Sequence, residues 1–535
     1  MNGAGGTPGL DAVIAGGALG PLRAVLPGRA GLRLLAALAA QPVTVAGRGA
    51  GLLADLVAVA AGRSPFSPVG PAYTHPAWTT NPLLRRLVQA HAATARAADE
   101  LLADAELDPA DHLRAGAALR TVLAACAPSS SPLHPEVLQR AVATGGASLT
   151  RGAMRLAGDL STAPRVPATV ERDACEVGVD VAATPGAVVL RTPTFELIQY
   201  LPRTEAVREV PLLVVAPIAN RFYVADLAPG HSLVERLVGG GQQVFAMSWL
   251  NPDAAHAAWD LDTYCQAVLD AMEACERVTR VPATSLMGFG AGGLIAATVT
   301  GHLSAIAAAD RVASLTLVAT TLDHGDVPLD RAFAEAATAA SEAVGYLDGP
   351  ALAEVDAWLR ADELIWPHWV RGHLCGRPAE PSAELFWRAD AVRVPAGLHR
   401  DLVDVAVRNP LASPGAINVL GTGIDLSKVD RDCYVITTDD PVTGWEPAYR
   451  STQLLAGQSR FVLADGGRAY RALDAGLGVP PSRLAAVRSR SGTWWDDHAA
   501  WLADRSGAEC DAPPELGGRG LHALTPAPGE YVLTR

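Results

Sequence analysis

Lysine is almost missing from this chain of 535 residues: Lys428 is the only one, and arginine carries the rest of the positive charge. The formal charge is −13 and the sequence shows no basic cluster against that acidic balance, which argues against a nucleic-acid backbone as the ligand. Cysteine is sparse and odd in number. Cys126, Cys175, Cys265, Cys275, Cys375, Cys433 and Cys510 lie far apart with no CxxC pair, so neither a disulfide framework nor a metal site is signalled, and a reducing compartment is expected. The N-terminus lacks the charged start, compact apolar stretch and cleavage site of a signal peptide. A long unbroken apolar run is lacking as well. Gln41, Pro42, Arg48 and Asp55 interrupt the stretch from Leu32 to Ala61, so no transmembrane segment is expected and the expected location is cytoplasmic.

What is present is apolar and periodic. With 49% hydrophobic residues the chain can bury a large core, and its length predicts roughly two to four structural units. Residues 1–65 are Gly/Ala-rich with weak helical periodicity and are expected to form an N-terminal arm. Residues 66–185 are expected to be α-helical, because Leu83, Leu84, Leu87 and Val88 recur at helical spacing and Pro132 and Pro135 punctuate the pattern. Residues 186–535 change period. Short apolar runs at Ala187–Leu190, Pro211–Ala216, Gln243–Trp249, Ser285–Phe289, Ser314–Thr320, Cys433–Thr438 and Arg460–Ala464 alternate with helical stretches. That alternation predicts an α/β fold with a doubly wound, mostly parallel sheet. From about 322 to 428 it stops, and a helical stretch bearing Trp358, Trp366, Trp369 and Trp387 intervenes. An insertion at this place commonly forms a lid over the site of an α/β-hydrolase fold.

The run from Ser285 to Ile295 reads as a buried strand that ends in glycines and passes into an apolar helix. It fits the G-x-Nuc-x-G nucleophile elbow, with Gly288 and Gly292 as the flanking small residues. In such an elbow the next amide, here that of Ala291, can donate to an oxyanion. The central position, however, is Gly290, which accepts the backbone geometry and carries no reacting atom. The spacing of Gly288, Gly290 and Gly293 also fits a tight strand-to-helix crossing, or a dinucleotide loop, though the motif stands late in the sheet and lacks a clear acidic partner about 20 residues on.

Three further segments carry a resemblance. The stretch from Pro211 through Asn220, Tyr223 and Asp226 to Leu227, the stretch Val244–Asp253 with Ser248-Trp249-Leu-Asn251-Pro252, and the elbow resemble the core of the polyhydroxyalkanoate (poly-beta-hydroxybutyrate) synthase family. His75–Leu87, Leu364–Trp366, Trp387–Pro395, Gly492–Trp495 and Trp501–Gly507 extend the resemblance from about residue 70 to the C-terminus, a length that resembles the single-subunit kind of synthase. The resemblance implies an α/β-hydrolase fold with a helical N-terminal domain and a helical lid. It also implies a Cys-His-Asp triad that passes 3-hydroxyacyl groups from coenzyme A onto a growing polyester, without a bound cofactor or metal.

Carried over residue by residue, the family's cysteine falls on Gly290, its aspartate on Asp440 and its histidine on Arg468. Arg468 stays protonated near neutral pH and cannot act as a general base. The residues beside Asp440 differ from the family's pattern, and Arg388 stands where an asparagine is expected after Trp387. Cys265, Cys275 and Ser285, or His302, His373 and His498, could supply a relocated triad only by coming together in the fold. The resemblance therefore implies a catalytically inactive homologue that serves as a partner or granule-associated subunit in polyester metabolism. The expected partners are a homodimer, a heterodimer with an active synthase, acyl-CoA, or a granule surface. The alternative is an acyltransferase or hydrolase acting on acyl-CoA or acyl-carrier thioesters without a triad, with Ala291 as oxyanion donor and Arg468 as a phosphate or carboxylate anchor.

Overall fold

The computed structural model describes residues 28–67, 70–325, 331–439, 444–465, 469–475 and 477–535. Its N-terminal part is helical: α1 (Gly28–Ala39), α2 (Pro42–Ala60), α3 (Pro82–Asp104), α4 (Pro109–Ala125), α5 (Pro135–Ala143) and α6 (Ala147–Ser161). Asn81 starts α3, its side-chain oxygen accepting from the amides of Leu83 (2.9 Å) and Leu84 (3.3 Å), and Pro82 needs no amide partner in the first turn. The described part of residues 1–65 thus carries α1 and α2. Arg48 and Asp55, expected to interrupt the apolar stretch around them, do not interrupt its helix. They lie inside a continuous 19-residue α2 that is long and apolar enough, by length and composition, to cross a membrane. The helix tolerates both charges because each turns sideways onto α3, Arg48 to Glu100 (2.8 Å) and Asp104 (2.7 Å), and Asp55 to Arg96.

Residues 186–535 hold the sheet, with β1 (Gly186–Arg191), β2 (Phe195–Tyr200), β3 (Leu212–Val215), β4 (Val244–Trp249), β5 (Thr284–Phe289), β6 (Val312–Val318), β7 (Cys433–Thr438), β8 (Ser459–Asp465), β9 (Ala469–Asp474), β10 (Arg490–Ser491) and β11 (Thr525–Pro526). Across the sheet they stand in the order β10-β9-β8-β7-β6-β5-β3-β4-β2-β1-β11. The run from β4 through β3, β5, β6 and β7 to β8 is parallel, while β1 and β2 at one side and β9 at the other pair antiparallel. The reversal of strand order at β3 makes a topological switch point, where crevices open at the carboxyl ends of the strands. This is the α/β-hydrolase fold.

All seven expected strands are present. Sequence reading missed β2, β9, β10 and β11, and of these β2 is fully buried although it contains Glu196 and Gln199. The Glu196 carboxylate accepts from Arg191 (2.7 Å) and from the amides of Glu530 and Tyr531 (both 2.9 Å), and Gln199 accepts from the amide of Gly517 (2.6 Å). Burial is tolerated because these polar atoms are paired. The core between sheet and helices is close to wholly apolar, and includes α7 (Leu261–Thr279) and α8 (Ala291–Ala305), the latter with 13 buried residues. Between β6 and β7 lies a helical insertion that includes Gly349–Leu359, Ala383–Ala389 and α9 (Ala396–Arg408).

Candidate functional site

At the switch point β5 ends on Phe289 and the chain turns at Gly290, with φ +54° and ψ −121°, directly into α8. A residue with a side chain would hold that conformation at a cost of roughly 1–3 kcal/mol, whereas glycine adopts it freely. The turn is fastened by the Gly290 amide donating to the Val318 carbonyl (2.9 Å), and by the Thr320 hydroxyl and the Gly293 amide donating to the Gly290 carbonyl (3.1 and 3.0 Å).

The neighbouring glycines answer to a different constraint. A Cβ on Gly288 would sit 2.3 Å from the Gly293 Cα, one on Gly292 2.3 Å from the Ala216 carbonyl oxygen, and one on Gly293 2.0 Å from the Thr320 hydroxyl. Strand, helix and the end of β3 meet too closely there for any side chain. A Cβ on Gly290 would have nothing within 4 Å, so there is unfilled space where a side chain could project. As the first residues of α8, Ala291 and Gly292 have amides without an intrahelical acceptor, so the turn presents donors beside that space.

Two walls border the turn. After β6, the amide of Leu322 donates to the Ser451 hydroxyl (2.7 Å), and the Asp323 carboxylate accepts from Asn409 (2.8 Å) and the amide of Gly325 (2.8 Å) with Arg450 3.5 Å away. Sequence reading did not single out Asp323, Asn409 or Arg450. The available signal was position, since Asp323 follows the carboxyl end of a central strand. After β3, the loop from Ala216 to Tyr223 is tied to the insertion. Val392 donates its amide to the Ala219 carbonyl (2.9 Å), the Trp387 indole donates to the Arg221 carbonyl (2.8 Å), and the Tyr223 hydroxyl donates to Asp390 (2.7 Å). Trp249 donates to the Ala216 carbonyl (3.1 Å), and the Asn251 side chain accepts from the amide of Arg393 (3.0 Å). Several of the residues that carry the resemblance therefore join the sheet to the insertion.

Of the expected site residues, Gly290 and Ala291 are at the turn, while Asp440 and Arg468 lie outside the described residues. Arg388 pairs within the insertion, with Glu384 (3.3 Å) and Asp356 (3.7 Å). The candidates for a relocated triad are dispersed. Cys265 and Cys275 are buried on α7, where desolvation pushes both thiols up and away from thiolate. Ser285 accepts from Ser314 (2.9 Å) between two buried strands. His302 bonds Thr422 (2.6 Å) and His373 bonds Asp159 (2.8 Å). His498, on α10 (Trp495–Ala503), is fully buried, bonds Thr316 (3.0 Å) and packs among Tyr434, Trp494 and Trp501. Desolvation pushes its pKa down to about 3, so it stays neutral. Among the described residues no cluster of metal-ligating side chains is present.

The family model described as "Poly-beta-hydroxybutyrate polymerase (PhaC) N-terminus" matches residues 71–237. The chain is 38% identical over 488 residues to poly(3-hydroxyalkanoate) polymerase 2 of Ectopseudomonas oleovorans, covering 88% of this chain and 87% of that one. To poly(3-hydroxyalkanoate) polymerase subunit PhaC of Cupriavidus necator it is 34% identical over 486 residues, covering 86% and 82%. Among solved structures, a monoacylglycerol lipase of Paleococcus ferrophilus aligns over 58% of this chain and 98% of its own, with 12% identity and a TM-score of 0.34. With that extent of identity added to the strand order and the elbow, the chain belongs to the polyhydroxyalkanoate (poly-beta-hydroxybutyrate) polymerase family.

Proposed function

We propose that this chain is a polyhydroxyalkanoate synthase-like protein that has given up covalent acyl transfer and serves as a cytoplasmic partner or granule-associated subunit in polyester metabolism. The observation that carries the reading is Gly290. The elbow backbone and its tightly packed glycines are retained, while the position that must offer a thiolate has no side chain. The substitution of Arg468 for the base the resemblance expects supports the same reading, because a guanidinium neither takes nor returns a proton near neutral pH. The other cysteine, serine and histidine candidates are not in contact with one another, and the serine–histidine contact that is present, Ser341 with His399 (2.6 Å), is buried within the insertion.

The test is thiol release from 3-hydroxybutyryl-CoA by the purified protein, beside a Gly290→Cys, Arg468→His double variant. The expected outcome is no release by the unmodified chain and measurable release by the double variant. Release by the unmodified chain overturns the proposal in favour of non-triad chemistry, for which the free amides of Ala291 and Gly292 are the available oxyanion donors.

A further inference from the structure

Helix α2 is amphipathic the wrong way round for a helix in water. Every exposed residue along it is apolar, glycine or proline: Val43, Ala46, Ala50, Leu53, Ala54, Val57 and Ala60 with the intervening glycines and Pro42. Its charged residues, Arg48 and Asp55, face inward onto α3 and are ion-paired there. Val43 is 85% exposed, Leu53 64% and Val57 57%, and on α1 Leu32 and Leu35 add 68% and 65%. Those five side chains alone leave on the order of 600 Å² of apolar surface in water, at the upper limit for an ordinary monomer. Nothing among the described residues covers them.

Charge marks the same corner. Of the seven arginines in residues 28–98, Arg33, Arg48 and Arg96 are ion-paired, with Asp111, with Glu100 and Asp104, and with Asp55. Arg63, Arg85 and Arg86 are exposed and form no ion pair among the described residues. They gather at the C-terminal end of α2, where a Cβ on Gly62 would lie 3.8 Å from the Arg86 guanidinium. Neutral polyester would match the apolar face and leave the arginines without anions, and a second copy would bring more arginine to the contact. An anionic lipid surface matches both features, with acyl chains for the face and headgroups for the cations.

We infer that α1 and α2 dock this protein onto anionic lipid bilayers, with α2 lying in the plane of the interface. The helix does not cross the bilayer, because its inner face is held to α3 by Arg48, Asp55 and Arg96. The inference stands on residues 28–98 and is independent of the chemistry at Gly290.

The test is flotation of the purified full-length chain with vesicles of phosphatidylglycerol and phosphatidylcholine, against vesicles of phosphatidylcholine alone. The chain should float with the anionic vesicles and be released by added salt. Removing Arg63 and Arg85 together as glutamines should weaken partitioning roughly 25-fold, about fivefold for each arginine near the surface. Leu53→Glu with Val57→Glu should abolish flotation while circular dichroism stays unchanged, since both side chains point to solvent. Failure of the unmodified chain to float overturns the inference, as does equal binding to phosphatidylcholine alone, or flotation that survives Leu53→Glu with Val57→Glu. A doubled mass in solution that this double variant halves would assign the face to a second copy instead.

Discussion

The elbow glycines make a quantitative test of what the turn at Gly290 still is. Alanine at Gly292 puts a Cβ 2.3 Å from the Ala216 carbonyl oxygen and 2.6 Å from that of Val215, and neither backbone atom can swing aside. Relief requires α8 to back away from the end of β3, which strips contact from a helix with 13 buried residues. Overpacking of that kind costs about 3 kcal/mol or more. Gly288→Ala faces the same obstacle, with the Gly293 Cα at 2.3 Å. Alanine at Gly290 meets no atom within 4 Å and carries only the strain of φ +54°, about 2 kcal/mol. Urea denaturation of the three variants, read as midpoint shift multiplied by a common slope, should rank Gly290→Ala as the mildest. A Gly290→Ala variant that loses as much stability as Gly292→Ala would refute the reasoning, because the space over Gly290 would then be occupied.

Further predictions concern the buried polar groups. His498 has its pKa lowered to about 3 in the fold, so between that value and its ordinary pKa the unfolded chain binds the extra proton and stability falls as pH falls. Going from pH 6.5 to 5 should cost the protein about 2 kcal/mol through this residue. His134 and His368, lowered by burial in the same direction, add to the slope, so the check is that urea denaturation of His498→Gln shows a shallower pH dependence than the unmodified chain. An equal slope would locate the effect elsewhere. Arg221, 5% exposed, donates to the carbonyls of Tyr531 (2.9 Å) and Thr534 and lies 3.5 Å from Asp390, so it joins the C-terminal segment to the insertion. Arg221→Met should destabilise by about 3 kcal/mol and make the segment after Thr525 sensitive to carboxypeptidase while leaving the N-terminal helices resistant. Asp226→Asn should cost about 2 kcal/mol in denaturation, because the buried carboxylate accepts from the Thr184 amide (3.1 Å) and from the Thr184 and Ser232 hydroxyls, and an amide nitrogen cannot accept.

What could be read from the sequence was what local chemistry dictates. The parallel strands announced themselves as apolar runs because they are buried on both faces. The elbow was legible because its glycines stand at fixed spacing between a buried apolar strand and an apolar helix, although the contacts that require Gly292 and Gly293 come from Ala216 and Thr320. Strand β2 was not legible, since Glu196 and Gln199 read as solvent-facing residues until their partners arrive from Glu530, Tyr531 and Gly517, over 300 positions away. The face of α2 was hidden for the same reason. Arg48 and Asp55 look like interruptions of an apolar segment, and only the position of α3 shows that they are its inner side. Asp440 and Arg468 lie outside the described residues, so their assignment rests on the resemblance.

The elbow glycines also separate what the fold requires from what catalysis would require. Gly288, Gly292 and Gly293 are required by the packing of β5, α8 and the end of β3 whether or not a nucleophile stands between them. Their presence is evidence about the fold and carries little information about catalysis. Gly290 is the reverse case, since the space around it tolerates a side chain and only the backbone twist favours glycine. Glycine at this φ avoids strain of roughly 1–3 kcal/mol that a side-chain-bearing residue would carry, so on the proposed reading the exchange would stabilise the scaffold. The same asymmetry makes Gly290→Cys a tolerable substitution in a folded chain, and it is why silence from the unmodified protein can be attributed to the missing side chain and not to a collapsed site.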